Sequence, residues 1–384
     1  MNTVRARIWQ FEIVPGAGGD PGVHAKKLGS MDLPVHLSRL VHINALACDF
    51  RREVDYRVRL HEARLLTSYL AAPSGLALQV DYPSLLATSL HVRRFISECA
   101  GLGVMTAGSE ELFSWKPGRS TLHSFDVLPP GPLQTKYGTF GVRPDLLFHL
   151  PNGPVAGEAR GRHRAAKTLF PMNADSNQKK RLLELAAWSA DLNAHPYFMS
   201  WVWIGAIGVG VDIFIPKAEW WGGDAVQLGL IQKEQEQDWW IDSPRRERGR
   251  APDDGMESGV PGLLLRRPRT NVAAVSDRTD ERVEQILDTL YQTAPSPVGS
   301  FAGVPVRGAW APADDLGAAR HEVLIGVLDE YPSEERRAGR YPEGIELAGA
   351  RADVHLEGRL LTVVREIGGT RPSWAQLEEG LLEV

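Results

Sequence analysis

The chain has 384 residues, 43% hydrophobic and 24% charged, a core-forming balance that excludes disordered, collagen-like and coiled-coil classes. At roughly 150 residues per domain, two or three domains are expected, or one large domain with an appendage. The 43 Lys and Arg against 48 Asp and Glu leave a net charge of −5, which disfavours nonspecific coating of nucleic acid by the whole surface.

Arg7 to Val14 reads as a strand, and the Gly/Pro run from Pro15 to Gly22 as a surface loop, because it lacks GxGxxG spacing and no GxxxxGK[ST] occurs anywhere. Arg51 to Leu70 reads as a strand turning into a helix near Leu60. Tyr82-Pro83-Ser84 opens a helix with Ser84 as N-cap and Gly101 as its end. Leu122 to Leu128 is a strand. Gly141 to Leu150 and Val155 to Arg160 form a hairpin about the Pro-Asn-Gly-Pro turn. Asn177 to Asn193 is a helix, and Phe198 to Ile215 a buried, glycine-containing strand. Ser243 to Gly259 is a charged linker or loop. Helices at Arg278–Gln292 and Ala313–Tyr331, a hairpin at Ala352–Val364 and a short helix near Trp374 complete the chain. The expected organisation is an N-terminal α/β region (1–82), a core (83–218), a linker or exposed loop (219–260) and a C-terminal α/β domain (261–384).

Cys48 and Cys99 exclude a disulfide framework and a thiolate zinc site. With no apolar leader before a cleavage site, and with Phe198–Val211 too short to span a bilayer, a cytoplasmic location is expected. No motor motif is present, so an ATPase or helicase would be a separate partner.

Charge is uneven. Arg143 to Arg181 carries eight basic and three acidic residues, a local +5 that leaves −10 for the rest. Inside this island, Arg143-Pro144-Asp145 precedes one hairpin strand and Glu158-Ala159-Arg160 lies on the other. Strands only about 4.8 Å apart can bring two carboxylates onto one ion, and arginines beside them suit a phosphate backbone.

These residues, with the order helix, strand, strand carrying Asp145, strand carrying Glu158, helix, strand, resemble the PD-(D/E)xK nuclease superfamily. The resemblance covers roughly Ser84 to Pro216, about a third of the chain. It implies an α/β (α+β) restriction-endonuclease-like fold, a mixed sheet flanked by helices. It also implies a Mg²⁺- or Mn²⁺-dependent nuclease hydrolysing phosphodiesters, in DNA before RNA, in host (antiviral) defence or DNA processing. Asp145 and Glu158 would be metal ligands, joined by Glu98 from the first core helix, with Glu110 and Glu111 as rivals. Arg160 stands where the family has lysine and cannot act as a base, so Lys167 or Lys179 becomes a candidate for that role. Gln178 is similar to the helix glutamine of RecB-like nucleases, although Leu182 replaces the tyrosine four residues on. Arg162, His163, Arg164, Lys167 and Lys179 are the expected nucleic-acid contacts. The alternative is a catalytically degenerate relative that binds nucleic acid or protein.

Trp220-Trp221 and Trp239-Trp240 could stack bases but read first as core anchors. His149 reads as a strand-end polar residue. Asp353 and Glu366 repeat the thirteen-residue spacing of Asp145 and Glu158, without the basic third residue, and read as a chance echo.

Overall fold

A computed structural model of the chain describes residues 2–15, 21–46, 55–71, 77–115, 122–124, 144–150, 153–165, 167–172, 176–191, 194–217, 232, 238–241, 272–313, 321–332, 345–347, 350–368 and 370–382. The 243–259 linker, Cys48, Arg143 and Trp220-Trp221 lie outside these residues.

The chain opens with a long hairpin, β1 (Asn2–Pro15) and β2 (Pro21–Val35), and continues through α1 (Leu37–Leu46) and α2 (Tyr56–Tyr69). A two-stranded pair, β3 (Leu70–Ala71) and β4 (Gln79–Val80), leads into α3 (Tyr82–Ala87) and α4 (Leu90–Phe113). Then come β5 (Leu122–Ser124), β6 (Leu146–Leu150), β7 (Gly153–Arg164), α5 (Ser176–Asp191), β8 (Tyr197–Gly205), β9 (Gly208–Pro216) and β10 (Asp238–Ile241). The remainder holds α6 (Val272–Thr293), the strands β11 (Pro297–Phe301), β12 (Val304–Pro312), β13 (His321–Leu328), β14 (Ile345–Leu347), β15 (Ala350–Glu357) and β16 (Leu360–Glu366), and α7 (Trp374–Leu382).

The result is a mixed α/β protein built on two main sheets. The first has the order β10-β2-β1-β9-β8-β7-β6-β5, the second β11-β12-β13-β16-β15-β14. In the first sheet β1 runs parallel to β9 and β7 parallel to β8, while β6 pairs antiparallel with β7. Alternation along β1 sends Val4, Ala6 and Ile8 to one face and Trp9 and Phe11 to the other. The first face shares a core with α1, α2 and α4, and Val323, Ile325, Val327 and Leu360 of the second sheet close that core from the far side. Leu182, Leu185 and Trp188 of α5 cover the opposite face of the first sheet. Leu377 and Leu381 of α7 cover the outer face of the second. The helices α1, α2 and α4 therefore lie between the sheets.

Five sequence expectations change. The segment expected to be a strand before Leu60 is helical from Tyr56, capped by Asp55. A boundary at residue 82 cuts through one sheet, since β1 and β2 pair with strands of the region expected to be a separate core. The helix expected from Ser84 to Gly101 is two helices, capped by Asp81 and Ser89, and the second runs on to Phe113. The apolar run 198–215 is a hairpin, because Gly208, at φ +134°, closes a two-residue turn with Gly205. The helix expected at 313–331 holds a strand instead: His321–Leu328 is buried on both faces and rich in β-branched residues. Among the described residues no helix is long and apolar enough to cross a membrane.

The pairing of β1 with β9 is locked by one buried carboxylate. Asp212 accepts from Arg7 Nε at 2.6 Å, Arg7 Nη2 at 2.8 Å, Trp9 Nε1 at 2.8 Å and Trp203 Nε1 at 2.7 Å. Asp212→Asn would turn an amide donor toward these donors and remove the counter-charge of Arg7. Urea denaturation should show a loss of about 3–5 kcal/mol; an unchanged midpoint would mean that the network contributes nothing.

Candidate functional site

β7 pairs with β6 only as far as Gly157. Past that point, among the described residues, β7 pairs only with β8. Asp145 sits just before β6. Its backbone N–H donates to Gly157 O at 2.9 Å, and its Oδ2 accepts from Ala159 N at 2.7 Å, so backbone and carboxylate together tie the residue to either side of Glu158.

Glu158 is fully buried on the face of β7 that α5 covers. Its Oε1 lies 2.5 Å from Arg160 Nη2 and 2.7 Å from Arg181 Nε, and Arg181 also reaches Glu184 at 3.1 Å. Burial above all, and then the Asp145 charge, raises the Glu158 pKa well above the ordinary carboxylate range; Arg160 opposes the shift. Arg160 Nη1 donates to Ala159 O at 3.2 Å.

Beside this pair opens a cavity of about 420 Å³ lined by Arg94, Glu98, Arg160, Arg162 and Arg181. Four guanidiniums against one carboxylate make its wall cationic. Glu98 lines the cavity but is ion-paired to Arg94 at 2.8 Å. Glu110 and Glu111 lie three turns further along α4, about 18 Å away by helix rise, and Glu110 pairs with Arg39. They do not belong to the site.

Residues 160, 162 and 164 share a face of β7, and two of these arginines rest on indoles of β8. Arg162 Cζ stands 5.4 Å from the Trp201 ring centre and Arg164 Cζ 5.5 Å from that of Trp203. Stacking fixes the guanidiniums while Arg162 stays exposed. His163, beside them, has a pKa lowered by burial and by Arg93 and Arg162. Lys167 is exposed past the strand, whereas Lys179 is buried and not presented to a surface.

Gln178 is fully buried in the first turn of α5, which rules out a solvated first-turn glutamine. Burial lowers the pKa of His149 on β6. Trp239 and Trp240 stand on β10, paired with β2 at the sheet's edge. Asp353 does not recreate the site: it accepts from Ser38 N at 3.1 Å and meets His36 at 3.2 Å, holding the start of α1.

Sequence reading missed Arg94, Arg181 and Glu184. The available signal was spacing: Arg181 follows Gln178 by three residues and Glu184 by six, one helical face. No family model, curated protein or solved structure matches the chain.

Proposed function

We propose that the chain is a metal-dependent nuclease of PD-(D/E)xK type, with a restriction-endonuclease-like core formed by α4, β5–β8 and α5. The observation that carries this reading is the meeting of Asp145 and Glu158 beside a four-arginine cavity. The order α4, β5, β6, β7, α5, β8, with α4 and α5 on opposite faces of the sheet, supports it.

The donor set fits Mg²⁺ or Mn²⁺, which are held by one or two carboxylates and several waters. The Asp145 charge that hinders the ionisation of Glu158 is also what a divalent cation would offset. When bound, such an ion would neutralise phosphate charge and make a water nucleophilic. The chain's own residues would do the rest. Arg160 and Arg181, always protonated, would stabilise charge on the phosphate. Arg162 and Arg164, propped on tryptophans, would hold the flanking backbone. DNA is the expected substrate, in defence or DNA processing, with any ATPase or helicase acting as a separate partner.

A second reading has its own observation. Glu158 Oε1 is engaged by two guanidiniums, which suits a module that grips nucleic acid without cutting it.

Plasmid and linear DNA, and RNA, should be incubated with the full chain in Mg²⁺ and in Mn²⁺. The nuclease reading expects cleavage. Arg162→Ala should weaken binding to all sequences and lower the salt slope by about one ion. Arg160→Ala should cut the rate while sparing most binding, and Arg160→Lys should keep or raise the rate. Binding without cleavage in either metal selects the second reading, and absence of both overturns the assignment.

A further inference from the structure

A second cluster lies far from Glu158, where α1 meets the second sheet. His42 projects from α1, and His355 and Glu357 share one face of β15. The three side chains can each present a ligand atom, all within 4.8 Å of one another. We propose that His42, His355 and Glu357 bind a divalent ion of the zinc class, fastening α1 to β15.

The distances favour an ion over direct pairing. Glu357 Oε2 lies 3.6 Å from His42 Nε2 and 3.7 Å from His355 Nε2. These are too long for hydrogen bonds. They stand close to the edge of a zinc tetrahedron, about 3.3 Å for bonds near 2.05 Å. The two rings meet edge to face at 4.4 Å, and each offers a nitrogen within 4.8 Å of the other ligand atoms.

His42 supplies an independent pointer. It is completely buried, yet neither ring nitrogen has a hydrogen-bond partner among the described residues. A buried imidazole left in that state carries an uncompensated desolvation cost, which a metal bond at Nε2 would offset.

The donor chemistry narrows the ion. Two imidazoles and one carboxylate suit Zn²⁺ and its neighbours, whereas Mg²⁺ and Ca²⁺ prefer all-oxygen sets. The Glu357 side chain is 19% exposed, so the cluster borders solvent. Arg39 is the nearby opposing charge, and its guanidinium is ion-paired to Glu110 and stacked over Trp115. The surroundings hold the two elements in place: Asp353 grips His36 and the Ser38 N–H, and the Thr362 hydroxyl donates to Ser38 O at 3.0 Å.

The full chain, carrying Asp145→Asn to remove the other carboxylate pair from the count, should be stripped with chelator and titrated with Co²⁺. About one Co²⁺ per chain should bind with the intense visible bands of a four-coordinate site, Zn²⁺ should displace it, and Zn²⁺ should raise the melting temperature. His42→Ala and Glu357→Gln should each weaken binding by about a hundredfold or more and abolish the bands. His91→Ala, an exposed histidine on α4, should change neither. Should His42→Ala fail to fold, the near-isosteric Glu357→Gln decides alone. Failure of the parent chain to bind Co²⁺ or Zn²⁺, or bands that survive Glu357→Gln, would overturn the proposal. DNA cleavage is not a readout here, so this test stands apart from that of the nuclease reading.

Discussion

An Asp145→Asn chain is expected to lose DNA cleavage by about a hundredfold or more while melting no lower than the parent. The replacement amide still offers an oxygen to the Ala159 N–H, so the bond that pins this residue to β7 is kept. What disappears is a negative charge beside Glu158. Because the Glu158 carboxyl has a raised pKa in the folded state, the folded chain holds its proton more tightly than the unfolded one. Stability from this group is therefore full below the unfolded value, about 4.3, and is lost as pH rises through the folded value. Removing the Asp145 charge lowers the folded value and moderates that loss. The variant's melting temperature should thus gain on the parent's as pH increases from acid to neutral. Parallel melts across pH and a plasmid-nicking assay check both halves. Loss of stability together with activity would make Asp145 a scaffold residue, and full activity would remove it from catalysis.

Gly161→Ala should damage the fold more than other alanine replacements near the site. An added Cβ would lie 1.6 Å from Ser97 O and 2.2 Å from Ser97 C, both backbone atoms of α4. Neither can swing away, so helix and strand must separate along their whole contact. Overpacking normally costs 1–3 kcal/mol, and an unyielding backbone contact places this case at about 3 kcal/mol or more. Gly157→Ala is the internal control. Its Cβ would meet the ring edge of Phe148 at 2.7 Å and the Met105 sulfur at 2.8 Å, side-chain atoms that can shift, and should cost about 1–2 kcal/mol. Denaturant midpoints for the two variants should differ clearly. If they coincide, the glycine contact is not what seats α4 on β7.

The basic hairpin was legible because its signals are local: a Pro-Asn-Gly-Pro turn between apolar runs, and arginines at 160, 162 and 164 repeating with the strand period. Strand β13 was not. With both faces buried, its apolar run has no alternation by which to tell strand from helix. Gly101 read as a helix end, yet α4 continues through it and uses its bare Cα to approach the backbone of Arg160 and Gly161. Side chains that meet through tertiary packing leave weaker traces. Arg181 reaches Glu158 from another element, and His42 and His355 stand 313 positions apart with no ligand spacing to join them.

The Arg7–Asp212 ion pair also sets a timetable for synthesis. The two residues are separated by 205 positions, and a ribosome adds about 5–20 residues per second. The β1–β2 hairpin therefore waits roughly 10–40 s at that pace for the strand that will receive it. Throughout that interval the β1 edge that later joins β9 has no strand to pair with, a template open to foreign chains. The β1 edge stays bare until β9, made 205 positions later, lies beside it, and only then does Arg7 meet its carboxylate.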